Sequence, residues 1–279
     1  MIKDKLPILI SVPHGGLNFP TQIQTECLLS DMDILLDGDT WTKELFDFSN
    51  LAEEYHQVDV ARIFVDMNRD LTDLPPENTD GIVKTMTVEG KMVWDSPSGL
   101  SDGEREALID KYYLPYHQKL IKAAENPDVK LAVDCHSMLD YGPGKKGVNW
   151  ENRPLFCIGN RGNDEGDLCD EALTAPMEMM VHFKELLEAK FHMYKANNRE
   201  FVTMNDPFKG GHVTRLHGNI GKVPWIQLEV NRVLYLPPPS LISLRPNDLQ
   251  QVKLVEFRNL LYDVFSELVK DVHPGKAAL

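Results

Sequence analysis

Three apolar segments of this chain each run into ionisable side chains. ILISVPH (8–14) delivers His14, LAVDCH (131–136) delivers Asp134 and His136, and WIQLEVNR (225–232) delivers Glu229 and Arg232. Imidazoles and carboxylates brought together can hold a metal ion or move protons. His14 is followed by Gly15 and Gly16. Such glycines let backbone approach closely, as a metal or oxyanion site requires, although an ordinary tight turn uses the same pair. Asp134 stands two residues before His136. Strand alternation puts both on one side, where the carboxylate can orient the imidazole, and turns Cys135 away into packing. A Cys135–His136 nucleophile pair is the competing reading, and the same alternation argues against it.

Two further stretches concentrate polar donors. ARIFVDMNRD (61–70) holds Arg62, Asp66, Asn68, Arg69 and Asp70. An arginine fork with a neighbouring Asn suits a carboxylate ligand, while a surface ion-pair cluster is the plainer alternative. NDPFKGGHVTRLHG (205–218) gathers Gly210, Gly211, His212, Thr214, Arg215 and His217. It reads as a loop, either contacting substrate or simply connecting elements.

Apolar runs at 7–12, 62–67, 129–134, 154–159 and 224–230 read as strands, with His14, His136 and Glu229 at or beyond strand ends. Helix patterns cover 39–55, 101–125, 175–191 and 245–272. The first starts at a cap position, Asp39, and the second carries Ser101 and Glu104 at capping-box spacing, with a kink expected at Pro115. The Gly- and Pro-rich stretches 141–147 and 235–241 read as loops. Alternating strands and helices predict an α/β fold, a sheet covered on both faces, in a single domain spanning 1–279. In open α/β sheets ligands bind at the carboxyl ends of strands, so three separate segments aim His, His and Glu at one region.

The net charge of −14 leaves no basic surplus for a nucleic-acid backbone, so none is expected as partner. An anionic small molecule would need arginines supplied locally. No apolar run approaches the ~20 residues of a membrane span, and the short apolar start reads as a first strand rather than a signal peptide. Cys27, Cys135, Cys157 and Cys169 lie scattered without a CxxC pair, as expected of reduced thiols in a cytoplasmic protein.

The ordered set SVPHGGLNFP, DTWTKELF, RIFVDMNRD, DCHSM, NDPFKGGHVTRLHG and IQLEVNRVLY resembles the N-formylglutamate amidohydrolase family from about residue 8 to 236. That resemblance implies a zinc-carboxypeptidase-like fold, a mixed, mostly parallel sheet flanked by helices, with one zinc ion per chain. The implied reaction is hydrolysis of N-formyl-L-glutamate to formate and glutamate, late in histidine breakdown. The implied ligands are His14, His136 and Asp39. The carboxypeptidase-like relatives carry His-x-x-Glu, but Leu17 and Asn18 stand where that glutamate would be. Asp37 is the rival third ligand, and helix capping the rival role for Asp39. By the same analogy Glu229 is the general base, and in the mechanism that follows from it Arg62 stabilises the oxyanion of the tetrahedral intermediate. Asn68 and Arg69 match the pair that holds the substrate α-carboxylate. Arg215 or Arg232 is left for a side-chain carboxylate, with Asp134 behind His136. The partner so implied is a small anionic N-acyl amino acid. Two alternatives stay open: a hydrolase of another small N-acyl amino acid or peptide, and a non-catalytic binder of an acidic metabolite.

Overall fold

The computed structural model describes residues 3–96, 99–143, 150–195 and 199–271. In chain order the elements are β1 (Leu6–Val12), α1 (Asp31–Asp37), α2 (Thr42–Leu45), β2 (Ala52–Gln57), α3 (Asp102–Leu108), α4 (Leu114–Ala124), β3 (Leu131–Met138) and β4 (Tyr141–Pro143). There follow β5 (Trp150–Asn152), β6 (Phe156–Gly159), α5 (Met177–Lys190), β7 (Val202–Met204), α6 (His212–Ile220), β8 (Trp225–Asn231) and α7 (Asp248–Leu268).

Six strands form one sheet in the order β2-β1-β3-β8-β6-β7. The first four run parallel, and β6 turns against β8 and pairs parallel with β7. The result is the expected mixed, mostly parallel α/β sheet. Its core strands are apolar along most of their length because both faces are covered. Ile8, Ile10, Leu131, Val133 and Cys135 point into one core, with α2, α5 and α7. Leu9 and Ala132 point into the other, with Leu108, Leu120 and Val213 of α3, α4 and α6. Side chains of Ser30, Ser101 and Asn247 cap α1, α3 and α7, each returned by a residue three positions on.

Several local expectations give way. Residues 62–67 form no strand; they lie in packed turns, with Phe64 N–H and Val65 N–H both bonded to the Ala61 carbonyl. The helix expected over 39–55 shrinks to α2, and the chain then enters the edge strand β2. The helix over 101–125 is interrupted by a π turn, Ile109–Tyr113, just before Pro115. Residues 141–143 are not loop but pair with 150–152; the remainder, 144–147, lies outside the described residues. Residue 272, expected in the last helix, also lies outside them. Strand β3 does not stop at Asp134; it continues through His136 to Met138. The stretch read as a loop, 205–218, contains most of α6. Among the described residues no helix is long and apolar enough to cross a membrane.

Candidate metal centre and its acid–base partner

Because β1, β3 and β8 are parallel, their carboxyl ends share one edge of the sheet. His14 follows β1 by two residues, and His136 lies directly opposite Glu229 in the β3–β8 register. Asp39 arrives from the turn between α1 and α2. That turn is strained: Trp41 sits at φ 59°, in the left-handed region, and its indole N–H is tied 3.0 Å from the Ser243 carbonyl. Asp39 does not cap α2, which has no side-chain cap. Its Oδ2 accepts from the Ser137 N–H at 3.1 Å, and Arg232 reaches Oδ1 at 3.4 Å.

His14 Nδ1, His136 Nδ1 and Asp39 Oδ2 face one another. The two nitrogens are 3.2 Å apart, and the carboxylate oxygen lies 3.2 Å from one and 3.6 Å from the other. All three residues are at most 5% exposed. The far nitrogen of each ring meets a buried carboxylate: His14 Nε2 lies 2.7 Å from Asp66 Oδ1, and His136 Nε2 lies 3.0 Å from Asp134 Oδ2. An ionised carboxylate only accepts, so both Nε2 atoms carry the proton. Neutral rings would then aim two lone pairs and an anionic oxygen at the same small volume, which only a cation relieves. A tetrahedral ion with bonds of roughly 2.0–2.2 Å spreads its ligands by about 3.3–3.6 Å. The three separations fit that edge. Among the described residues this is the only such group of His, Cys, Asp and Glu.

The charges tell the same story. Burial works to raise the Asp66 carboxyl, but Arg62 and His14 hold it well below the carboxylate range. For Asp39, burial is likewise outweighed by both imidazoles. Burial opposes a charge on His136, yet Asp134 and Asp39 push it well above the histidine range. The pocket recruits positive charge, a proton when nothing else is present.

Glu229 stands beside this cluster, 7% exposed, with Gln227 Nε2 donating to its Oε1 at 3.0 Å. Burial pushes its carboxyl up to about 7, His136 pulling down and Asp39 pushing up. All four residues line a cavity of about 1110 Å³.

Of the other expected residues, Arg62, Asn68, Arg69 and Arg232 also line this cavity. Arg62 grips Asp66 through Nε and Nη2 at 3.1 and 2.7 Å. Asn68 Oδ1 accepts from the Val213 N–H at the start of α6, while Nδ2 lies toward His136. Arg69 is ion-paired with Asp80. Arg232 is buried and donates to Ser137 Oγ and the carbonyls of Leu36 and Gly38. It therefore positions the Asp39 turn and has little left for a ligand. Arg215 is not part of the lining; it reaches Asp70 at the protein surface. Asp37 is engaged by the buried Lys84 at 2.9 Å and stays out of the cluster. Cys135 packs into the core, away from His136. Sequence reasoning gave no role to Asp66 or Gln227. Strand alternation from Glu229 would have flagged Gln227; Asp66 sits on irregular backbone and offered no such signal.

Comparison with known proteins follows the same outline. The N-formylglutamate amidohydrolase family model matches residues 6–236. A protein of Pseudomonas putida named N-formylglutamate deformylase is 28% identical over 269 residues, covering 92% of this chain and 91% of its own. A Pseudomonas aeruginosa protein of the same name is 27% identical over 273 residues, covering 93% and 92%. The crystal structure of N-formylglutamate amidohydrolase from Ralstonia eutropha matches with a TM-score of 0.71 at 19% identity, over 96% of this chain and 95% of that one. A structure from Agrobacterium tumefaciens matches at 0.59 and 16%, over 97% and 92%. The two structures share the fold.

Proposed function

The chain belongs to the N-formylglutamate amidohydrolase family, and from that premise we propose that it hydrolyses the formyl amide of N-formyl-L-glutamate, giving formate and L-glutamate. The observation that carries the reading is the convergence of His14, Asp39 and His136 beside a buried, elevated Glu229 in one cavity. His14, Asp39 and His136 would hold one zinc ion, with Asp66 and Asp134 fixing the two ring tautomers. When bound, zinc supplies an acidified water and polarises the formyl carbonyl.

The chain's own residues supply the rest. Glu229 takes a proton from the attacking water and returns it to the departing nitrogen, a task suited to a carboxyl near 7. Gln227 steers the carboxyl by its hydrogen bond. Arg62, held against Asp66, meets the oxyanion of the tetrahedral intermediate. Asn68 Nδ2 and Arg69 receive the substrate α-carboxylate; Arg69 Nε is buried without a partner and free to donate. The four cysteines are all free thiols, which supports a reducing, cytoplasmic setting.

The test is formate release from N-formyl-L-glutamate, with chelated protein alongside. Metal-dependent turnover on the order of 1–10³ per second is expected. A zinc-replete protein that releases none would discard this substrate. One observation favours a second reading: the cavity, about 1110 Å³, lies just above the usual range for a small-molecule site, roughly 300–1,000 Å³. A longer N-acyl group would fit it, and faster cleavage of N-acetyl or N-succinyl amino acids would favour that reading.

A further inference from the structure

The cavity is rich in acids. Asp33, Asp37, Asp39, Asp66, Asp80, Glu89, Asp140 and Glu229 all reach it, on a chain of net charge −14. A dianionic ligand entering such a place needs cations whose charge is not already answered. Most are answered: Arg62 by Asp66, Lys91 by Asp33, and Arg232 by Asp39 and backbone carbonyls, while Arg69 is paired with Asp80 through Nη2 but keeps a buried Nε with no hydrogen-bond partner.

Arg153 is different. Among the described residues it has no carboxylate within ion-pair distance, and its Nε is buried with no hydrogen-bond partner. Its guanidinium lies 4.8 Å over the Phe208 ring, and Gly142 packs so close to it that any Cβ there would overlap it. Its backbone is fixed too: the N–H bonds the Asp140 carbonyl, and Asn231 Nδ2 bonds Asp140 and the Pro154 carbonyl. Burial disfavours the charged form, with Glu229 the principal acid opposing that. The result is a fork packed against a ring and a glycine, lining the cavity with its charge under-compensated. Such a group recognises a planar anion, two oxygens at a time.

We propose that Arg153, backed by Phe208 and Gly142, forms the subsite for the second carboxylate of the substrate, the one on the amino-acid side chain, and so selects acidic N-acyl amino acids over neutral ones. This rests on the reading of an N-acyl amino acid in the same cavity. Arg69 and Arg153 then divide the dianion between them, as the two cavity arginines with an unpartnered, buried guanidine nitrogen among the described residues.

Two measurements on the whole chain test it separately from the substrate reading. The first compares hydrolysis of N-formyl-L-glutamate and N-formyl-L-glutamine. Arg153→Met should raise KM for the glutamate substrate by about 30-fold or more, leave the glutamine substrate nearly unchanged, and so erase the preference. Arg153→Lys, which keeps charge but not the fork, should fall between. The second follows binding of glutarate, a dicarboxylate without an amide, by calorimetry, with butyrate as the monocarboxylate control. Glutarate should bind the intact protein and weaken by about tenfold or more in Arg153→Met, at an unchanged melting temperature. If the intact protein releases no formate yet glutarate binding depends on Arg153, the substrate reading falls and the subsite stands. Absence of glutarate binding to the intact protein, glutarate binding that ignores Arg153→Met, or a glutamate preference that survives it overturns the proposal.

Discussion

The Glu229 carboxyl owes its elevated pKa first to burial, and only then to its charged neighbours. A glutamine in its place would fill the same space and still accept the Gln227 hydrogen bond, but it cannot take a proton. Glu229→Gln should therefore keep its metal and lose about 10²–10⁴ in kcat. Stoichiometric metal with ordinary turnover would remove Glu229 as the base. Asp66 carries a different load, accepting from His14, Arg62 and the Asn68 N–H. Asp66→Asn removes the anion that fixes the His14 proton on Nε2, so Nδ1 becomes a poorer ligand. Metal affinity should fall by roughly 10–100-fold, read by competition with a chelating dye. Equal affinity in the variant would mean that His14 needs no such partner, and would weaken its assignment as a ligand.

Elements bring these side chains within reach, and α6 shows how tightly. Its first turn lies against Asn68, with the Val213 N–H on Asn68 Oδ1 and the Gly211 N–H on Gln227 Oε1. A Cβ on Gly211 would overlap the Asn68 amide. Gly211→Ala should push Asn68 aside, cost about 1–3 kcal/mol of stability, and raise KM more than it lowers kcat; urea unfolding and steady-state kinetics check both. A normal KM would show that Asn68 does not touch substrate. Nothing in GGHVTRLHG announced this helix, since its glycines and histidines read as loop. The same limit explains the other misreadings. IFVDM is buried throughout, and an apolar run reads alike in a strand or in packed turns. AEEYHQ is an edge strand, partly exposed along most of its length, so its composition mimics a solvated helix face. By contrast, the central strands β1, β3 and β8 were legible because burial on both faces leaves a near-continuous apolar signature. His14, His136 and Glu229 were visible for that reason, at or near the ends of those strands. Arg153 was not, because its significance lies in having no carboxylate partner among the described residues, which only the packed structure reveals.

At the scale of the whole molecule, the second histidine cluster sets the response to acid. His117 of α4 and His217 of α6 stack at 5.1 Å between ring centroids. His117 Nε2 donates to the Met67 carbonyl at 3.0 Å, so its Nδ1 accepts from His217 Nε2 at 2.9 Å. A second proton on either ring would break this pairing or sit buried without an acceptor. Burial, aided by neighbouring imidazoles, holds His117 down to about 3; burial holds His217 down to about 4. Unfolded histidine titrates near 6.5. Below that pH the unfolded chain takes up protons that the folded one refuses. Stability is therefore complete above about 6.5 and drains away as pH falls toward 4 and 3. The share lost through His117 should be on the order of 3 kcal/mol between pH 6.5 and 4. Glu229, held near 7, acts in the opposite sense over part of the same range, losing stability as pH rises. The informative quantity is therefore the difference between the parent protein and His117→Gln, measured by urea unfolding at each pH with metal saturating. The parent curve should fall more steeply toward acid, and the two should run parallel above pH 7. Parallel curves down to pH 4 would mean that the pair accepts its proton in the folded state, and that the packing around α4 yields to acid where the stacked rings say it resists.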